Sequence, residues 1–517
     1  MRKQHVTIIS LFIALPFFAS VVASPSVAGA ITPEAVKTAK ASATSLRFVS
    51  RFNSLSGLGG AEISAMDAKS KRLFSVNGAK NVVNIIDLKD VKNPVLVKAI
   101  DLSSQGVIGI QSIAAANGVV AVATSVGTKT GAGRVFLMDV NGKLNASAAN
   151  GVVVGSLPDS IHFSPNGRFV LTANEGEPKD YCKVGGVLPE TSDPKGSVSV
   201  IDLRAKKLQA KTLDFSAFND RASSVISSGG RVYGPGASVA QDLEPEYIAI
   251  SEDSKYAWVT LQENNAIATI DLASGKMLGV SGLGYKNYNT EATGIDPSDR
   301  DKELRVRPVQ AFGMYQPDAI ATAQVGGKSF LFTANEGDAR EYPCLMGGTD
   351  SSVIEAEDVR YGSNGTNAAL KTDALLNRLN VTPFIPANPS GTAVTGKTTM
   401  SDAYSLGARS FSVWRAPKAG GVAAAELVYD SGNFIEKKVL EMNGTYFNAD
   451  WSTSTGSANA ADTRSDNKGP EPEGIAYGKA YGKHWLVVGL ERDGGLMLFN
   501  VGNPSAPKFV QYISTID

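Results

Sequence analysis

One hairpin turn recurs six times along this chain, and a short repeat that cannot bury both its faces alone constrains the fold more than any composition does. The turns read Asp67-Ala68-Lys69-Ser70-Lys71, Ala116-Asn117-Gly118, Ser164-Pro165-Asn166-Gly167-Arg168, Ser251-Glu252-Asp253-Ser254-Lys255, Gly326-Gly327-Lys328 and Tyr481-Gly482-Lys483, each between short apolar or alternating runs. Such residues accept positive φ and bond to their own backbone, as tight turns require. A later strand in most copies ends alike, at Ile86-Asp87-Leu88, Met138-Asp139-Val140, Ile201-Asp202-Leu203, Ile270-Asp271-Leu272 and Phe499-Asn500-Val501, with Val413-Trp414-Arg415 in the fifth copy. Two copies then share an outer strand, Lys92-Asn93-Pro94-Val95-Leu96-Val97 and Gly502-Asn503-Pro504 through Phe509-Val510. Each unit is a four-stranded meander of about 45 residues before insertions, the size of one propeller blade.

Blades stacked radially around a channel protect their edges, so the sequence predicts an all-β β-propeller in preference to a sandwich or solenoid. One domain is expected over 46–517, with repeats near 60–103, 109–154, 157–216, 243–288, 315–432 and 470–513. Insertions fall at Lys183 to Pro194, Phe215 to Ala240, Pro343 to Ser405 and Phe434 to Lys468. Within the longest, Ala368-Ala369-Leu370 through Leu379 has the spacing of a short surface helix.

The first 30 residues read as a secretory signal and leader: Met1 to His5 carry positive charge, and the apolar run Val6 to Phe18 is short for a membrane span. Cleavage after Val21-Val22-Ala23 and cleavage after Ala28-Gly29-Ala30 both fit, and an uncleaved anchor is the alternative. No second run of spanning length follows, so a secreted or periplasmic protein is expected. Acidic and basic residues balance at 50 each without a basic stripe, which argues against a nucleic-acid partner.

Function must therefore come from local charge. The first strand of five repeats begins with an acid, Glu62, Asp159, Glu246, Asp318 or Glu473, and Gln111 stands in the sixth. The next strand ends in Glu175, Glu263, Glu336 or Glu491, in settings such as Thr172-Ala173-Asn174-Glu175 and Thr333-Ala334-Asn335-Glu336. Hairpin-joined strands are antiparallel, so both sets of acids belong to one face of the ring. Crowded carboxylates are relieved by a hard cation or by raised pKa values, and calcium, or magnesium, is the expected cofactor. With only His5, His162 and His484 in the chain, a histidine-built zinc centre or a Ser-His-Asp site is not expected.

The stretch Asn174-Glu175-Gly176-Glu177-Pro178-Lys179-Asp180-Tyr181 matches Asn335-Glu336-Gly337-Asp338-Ala339-Arg340-Glu341-Tyr342 in spacing, with a cation at the sixth place. Carboxylate beside Lys179 or Arg340 suits a metal and the anion it polarises, while the plain reading is a pair of blade caps left by duplication. The two cysteines, Cys182 and Cys344, follow these motifs. An exported chain favours a disulfide between them, which demands that the two insertions meet across the mouth.

Four longer stretches, Gly234-Pro235-Gly236-Ala237-Ser238-Val239-Ala240-Gln241-Asp242-Leu243-Glu244-Pro245-Glu246, Thr260 to Ala266, Tyr404 to Ser412 and Arg464 to Gly474, resemble the choice-of-anchor I family. These are exported bacterial propellers related to the mesenchyme-specific cell-surface glycoprotein of animals, and some carry the label of atypical alkaline phosphatase. The resemblance covers about Leu46 to Ile513 and implies a seven-bladed ring. Six repeats are visible here, so the alternatives are an open ring, a six-bladed ring and one truncated relative to the family, with Leu46 to Phe52 placed to close a final blade from the N-terminus.

Two functions compete. In a metal-dependent phosphoester hydrolase, Asp159, Glu175, Glu246, Glu263, Asp318, Glu336, Glu473 and Glu491 hold calcium while Lys179, Arg340 and Arg409 steady a phosphorylated small molecule. In a non-catalytic binding module, the same face takes an extracellular ligand. A haem or quinone propeller ranks below both, because no Cys-x-x-Cys-His motif is present.

Overall fold

A computed structural model describes residues 45–515, apart from 55, 57–59, 62, 185, 346–351, 353, 385–399, 422, 453–456 and 459. Residues 1–30, read from the sequence as a signal and leader, and Glu62 lie outside the described residues. Six four-stranded sheets, antiparallel throughout, follow one another along the chain. Blade 1 runs from Ser64–Asp67 to Val95–Asp101, blade 2 from Val107–Ala116 to Val152–Ser156, and blade 3 from Pro158–Phe163 to Ala210–Asp214. Blade 4 runs from Ile248–Ile250 to Lys276–Gly282, blade 5 from Ile320–Val325 to Glu426–Asp430, and blade 6 from Pro472–Ala480 to Lys508–Ser514. In blade 5 the 343–405 insertion separates the second strand, Lys328–Asn335, from the third, Ser410–Arg415.

The period-2 alternation of each strand is what stacks these sheets face to face. In blade 2, Val120 and Val122 join a core with Phe74 and Ile85 of blade 1, whereas Ala121 and Ala123 join Ile161 and Val170 of blade 3. Leu171 and Ala173 of blade 3 pack with Val259 of blade 4, whose Trp258 turns the other way onto Leu331 and Trp414 of blade 5. Phe332 and Phe411 of blade 5 continue the pattern with Leu486, Val488 and Phe499 of blade 6. The cores between successive blades are thus shared by neighbours, so a blade does not bury its faces alone.

Local bonds explain the repeated residues. Asp87, Asp139, Asp202, Asp271 and Asn500 end the third strands because each side chain accepts the N–H two residues on, at 2.8 to 3.0 Å, closing the turn to the outer strand. The hairpin turns hold positive φ, for example 53° at Asn117 and 57° at Ser254. Asn174 is fully buried, accepts from Thr172 Oγ1 at 2.8 Å and donates to Ser197 and Ser199 at 3.1 and 2.9 Å. Asn335 repeats this arrangement with Thr333, Ser410 and Ser412. The Thr-Ala-Asn motif therefore staples the second strand to the third and sets the following glutamate at the strand's end.

Two local expectations are corrected. Ala368 to Leu379 forms only a 3-10 turn, Ala368–Leu370, before the chain coils irregularly. Leu376 N–H reaches back to Leu370, and Arg378 is drawn to Asp299 and Asp466, so Leu370, Leu376 and Leu379 are buried without a regular helix. The longest helix among the described residues lies instead at Phe434–Asn443, where Ile435 and Val439 join the core between blades 5 and 6. Leu46 to Phe52 forms no strand. Leu46 exchanges hydrogen bonds of 2.8 and 3.2 Å with the Gln511 side chain of blade 6, and Ser50 Oγ donates to Val91 O of blade 1 at 2.6 Å, so this segment runs from the last blade to the first.

Candidate functional site

The acids reach the mouth through a shared local device. In blade 3 the pairing steps from Ser160 opposite Ala173 to Pro158 opposite Asn174, which leaves Asp159 as a bulged residue. Glu473 occupies the same place in blade 6, between Pro472 opposite Leu490 and Gly474 opposite Gly489. A bulge re-aims a side chain at the end of a ladder. Glu246 and Asp318 sit just ahead of their strands, their N–H groups donating to Thr260 O and Ala334 O at 3.0 and 3.1 Å. Glu175, Glu263, Glu336 and Glu491 follow within two residues of the second strands' ends. Glu336 is fixed further by a close approach: a Cβ on Gly407 would lie 1.9 Å from its carbonyl oxygen.

Electrostatics show that these acids share one space. Burial first, then Glu177 and Glu263, pushes Asp159 up to about 7. Glu175 is raised by burial and by Glu177, Asp159 and Glu263, and Glu246 by burial and by Glu263, Asp318 and Glu175. Burial, Glu336 and Asp159 raise Asp318; burial, Glu491 and Asp318 raise Glu473; burial and Glu471 raise Glu491. The chain of repulsions runs unbroken from blade 3 to blade 6.

The two halves of this rim differ in a way acid counting missed. Between blades 5 and 6, carboxylate oxygens of Glu336, Glu471 and Glu491 lie within 4.8 Å of one another. Cations from the chain already lie among them. Lys468 Nζ is 2.9 Å from Glu336, 3.3 Å from Glu471 and 3.6 Å from Asp338. Arg492 is 2.8 Å from Glu471 and 3.1 Å from Glu491, and Arg464 pairs with Glu471 as well. Burial would raise Glu471, but Arg464, Lys468 and Arg492 together hold it well below the usual carboxylate range. On the side of blades 3 and 4, Lys129 pairs with Glu177 at 2.6 Å, but the effects on Asp159 and Glu246 are burial and other carboxylates.

Above that half the insertions form a cap. Cys182 and Cys344 are disulfide-bonded, Tyr181 N–H donates to Pro343 O at 2.8 Å, and Tyr342 donates its hydroxyl to Glu177 at 2.6 Å. Two of the three expected anion-steadying cations belong to the scaffold. Arg340 is fully buried, with its guanidinium bonded to Asp242 at 2.8 Å, to Glu244 at 2.9 Å and to Asp242 O at 2.8 Å. Arg409 is equally enclosed by Glu436 and by the carbonyls of Asp296, Ser465 and Asn467, all within 2.7 to 2.8 Å. Each guanidinium is buried against acids of another segment, Asp242 and Glu244 ahead of blade 4 for Arg340 and Glu436 of the 434–468 insertion for Arg409. Lys179 is exposed, with its ammonium 3.8 Å from Asp180. The histidines have packing partners: His162 lies edge-on to Tyr247 with ring centroids 4.7 Å apart, and His484 bonds Tyr477 at 2.7 Å.

Among known proteins, a mesenchyme-specific cell surface glycoprotein of Strongylocentrotus purpuratus is 26% identical over 299 residues, 53% of this chain and 37% of that protein. Gigasin-3a of Magallana gigas is 31% identical over 132 residues, 26% of this chain and 42% of that protein. The chain thus spans less than half the length of these relatives. The β-propeller domain of Cps50 (Swd1) from Myceliophteria thermophila aligns with a TM-score of 0.38 and 9% identity, over 89% of this chain and 88% of that one. Such a likeness carries nothing about activity. No helix among the described residues is long and apolar enough to cross a membrane. The profile of the choice-of-anchor I domain matches residues 62–504, and the chain belongs to the choice-of-anchor I family.

Proposed function

We propose that this protein is a binding module whose capped, acidic mouth holds a hard divalent cation and uses it to engage an extracellular ligand. Its family makes it a cell-surface or exported protein. The observation that carries the reading is the asymmetry of the rim. Lys468, Arg464 and Arg492 supply positive charge between blades 5 and 6, whereas Asp159, Glu175, Glu246 and Glu263 repel one another beneath the cap. These four, with Asp318, would hold the ion. Their donors are all oxygen and come from several blades, which suits calcium's loose coordination by six to eight oxygens better than the strict octahedron of magnesium.

The phosphoester hydrolase reading is weaker than the sequence suggests. With Arg340 and Arg409 bonded inside the insertions, Lys179 is the one left of the three cations expected to steady a phosphate. Calorimetric titration of calcium into chelator-treated protein, beside an aryl phosphate assay, separates the two. The binding-module reading expects saturable calcium uptake, with the rim ion lost in Glu175→Gln/Glu246→Gln, without turnover. Calcium-dependent turnover lost in the same variant would replace it with the hydrolase.

A further inference from the structure

A second group of oxygens lies deeper in the cap, apart from the rim. Asp193, in the blade 3 insertion, is fully buried, and neither of its carboxylate oxygens finds a hydrogen-bond partner among the described residues. Its backbone is held firmly, with its carbonyl accepting from Gln241 Nε2 at 2.8 Å and its N–H donating to Pro189 O at 3.0 Å. Glu244, ahead of blade 4, is also fully buried; Oε2 accepts from Arg340 while Oε1 has no partner. The Tyr181 hydroxyl, on a side chain 1% exposed, is likewise unpartnered. The three groups lie within electrostatic reach of one another, since Glu244 and Asp193 both act on Tyr181 and Asp193 acts on Glu244.

From this geometry we infer a sealed calcium site in which Asp193 supplies both carboxylate oxygens, Glu244 supplies Oε1 and Tyr181 supplies its hydroxyl oxygen. Buried polar groups in folded proteins are nearly always satisfied, so four orphaned oxygens on three side chains that all feel Arg340 call for an occupant. Charge selects which one. Asp193, Asp242 and Glu244 face a single buried guanidinium, Arg340, leaving two negative charges without compensation in a region closed to solvent. Water would satisfy the hydrogen bonds and leave the charge, and a proton on Asp193 would remove one charge and leave acceptor oxygens orphaned; a divalent cation answers both. Asp242 is excluded as a ligand because its two oxygens already accept from Arg340, Gly234, Tyr233 and Asn264. The ion would join the 183–194 insertion to the segment leading into blade 4, next to the Cys182–Cys344 bridge, and so stiffen the cap independently of any ion on the rim.

The test counts calcium per chain by mass spectrometry and follows thermal unfolding with and without calcium. The proteins compared are the wild type, Asp193→Asn, the rim variant Glu175→Gln/Glu246→Gln, and their combination. The sealed site predicts one calcium fewer per chain on introducing Asp193→Asn into either background, with a smaller calcium-dependent rise in Tm. The rim variant alone keeps the ion held by Asp193, so failure of the rim reading and failure of this one are distinguishable. Unchanged calcium content in Asp193→Asn overturns the inference and leaves a proton on Asp193 as the source of neutrality. If Asp193→Asn does not fold, as judged by near-UV circular dichroism, Glu244→Gln carries the same expectation and the same overturning result.

Discussion

Cys182 and Cys344 are bonded with Cα atoms 5.1 Å apart although 162 residues separate them, so the insertions of blades 3 and 5 meet over the edge of blade 4. A crosslink closing so long a loop restricts the unfolded chain more than the folded one and contributes about 2–5 kcal/mol. Replacing both cysteines by serine should lower stability by that amount in urea unfolding. An unchanged midpoint would mean that the cap is held by its other contacts alone.

Among the described residues, Arg340 is the only cation bonded to Asp242 and Glu244 at the centre of the cap. Arg340→Met leaves two buried carboxylates facing each other, and removing one partner of such a network costs about 3–5 kcal/mol. Arg340→Lys should recover little, because a single ammonium cannot match the three-way fork. Denaturant unfolding of both variants checks the magnitude.

Metal-free protein should become less stable as pH rises from about 4 through 7. Asp159 has its folded pKa raised from 3.8 to about 7, so the folded state holds a proton across that window that the unfolded state has released. Calcium should flatten the decline. In the absence of calcium, Glu175→Gln/Glu246→Gln should melt higher than the wild type, because it removes two members of a repelling group. Thermal melts across pH, with and without chelator, read both effects.

His162 contributes the opposite slope. Burial lowers its pKa from 6.5 to about 4, so the unfolded state takes up a proton first and stability is lost as pH falls from 6.5 towards 4. The difference between wild type and His162→Phe should change by about 2 kcal/mol over that range, allowing for the partial exposure of the ring. Identical acid limbs in the two proteins would contradict this assignment.

The blades were legible because each repeat solves the same local problem with the same residues: an aspartate closing the turn after the third strand, and an asparagine stapling the second strand to the third. The positions of the rim acids followed from strand polarity. What linear reading could not supply was compensation at long range. Glu471 is neutralised by Arg464, Lys468 and Arg492, and Arg340 is enclosed by acids almost 100 residues earlier in the chain. The duplicated motifs themselves diverge in three dimensions, since Lys179 stays at the surface where Arg340 is buried. Asp193 and Glu244 carried no repeat signal, although Glu244 stands in the stretch that marked the family. The three leucines at 370, 376 and 379 had helical spacing without a helix, because Arg378 among them is bonded to Asp299 and Asp466.

The most direct test of the rim is an anomalous difference map from crystals grown with calcium or manganese. The account predicts a peak bonded to carboxylates among Asp159, Glu175, Glu246, Glu263 and Asp318, and none beside Lys468. A metal seated instead between Glu336, Glu471 and Glu491, or no peak at the mouth, would contradict it.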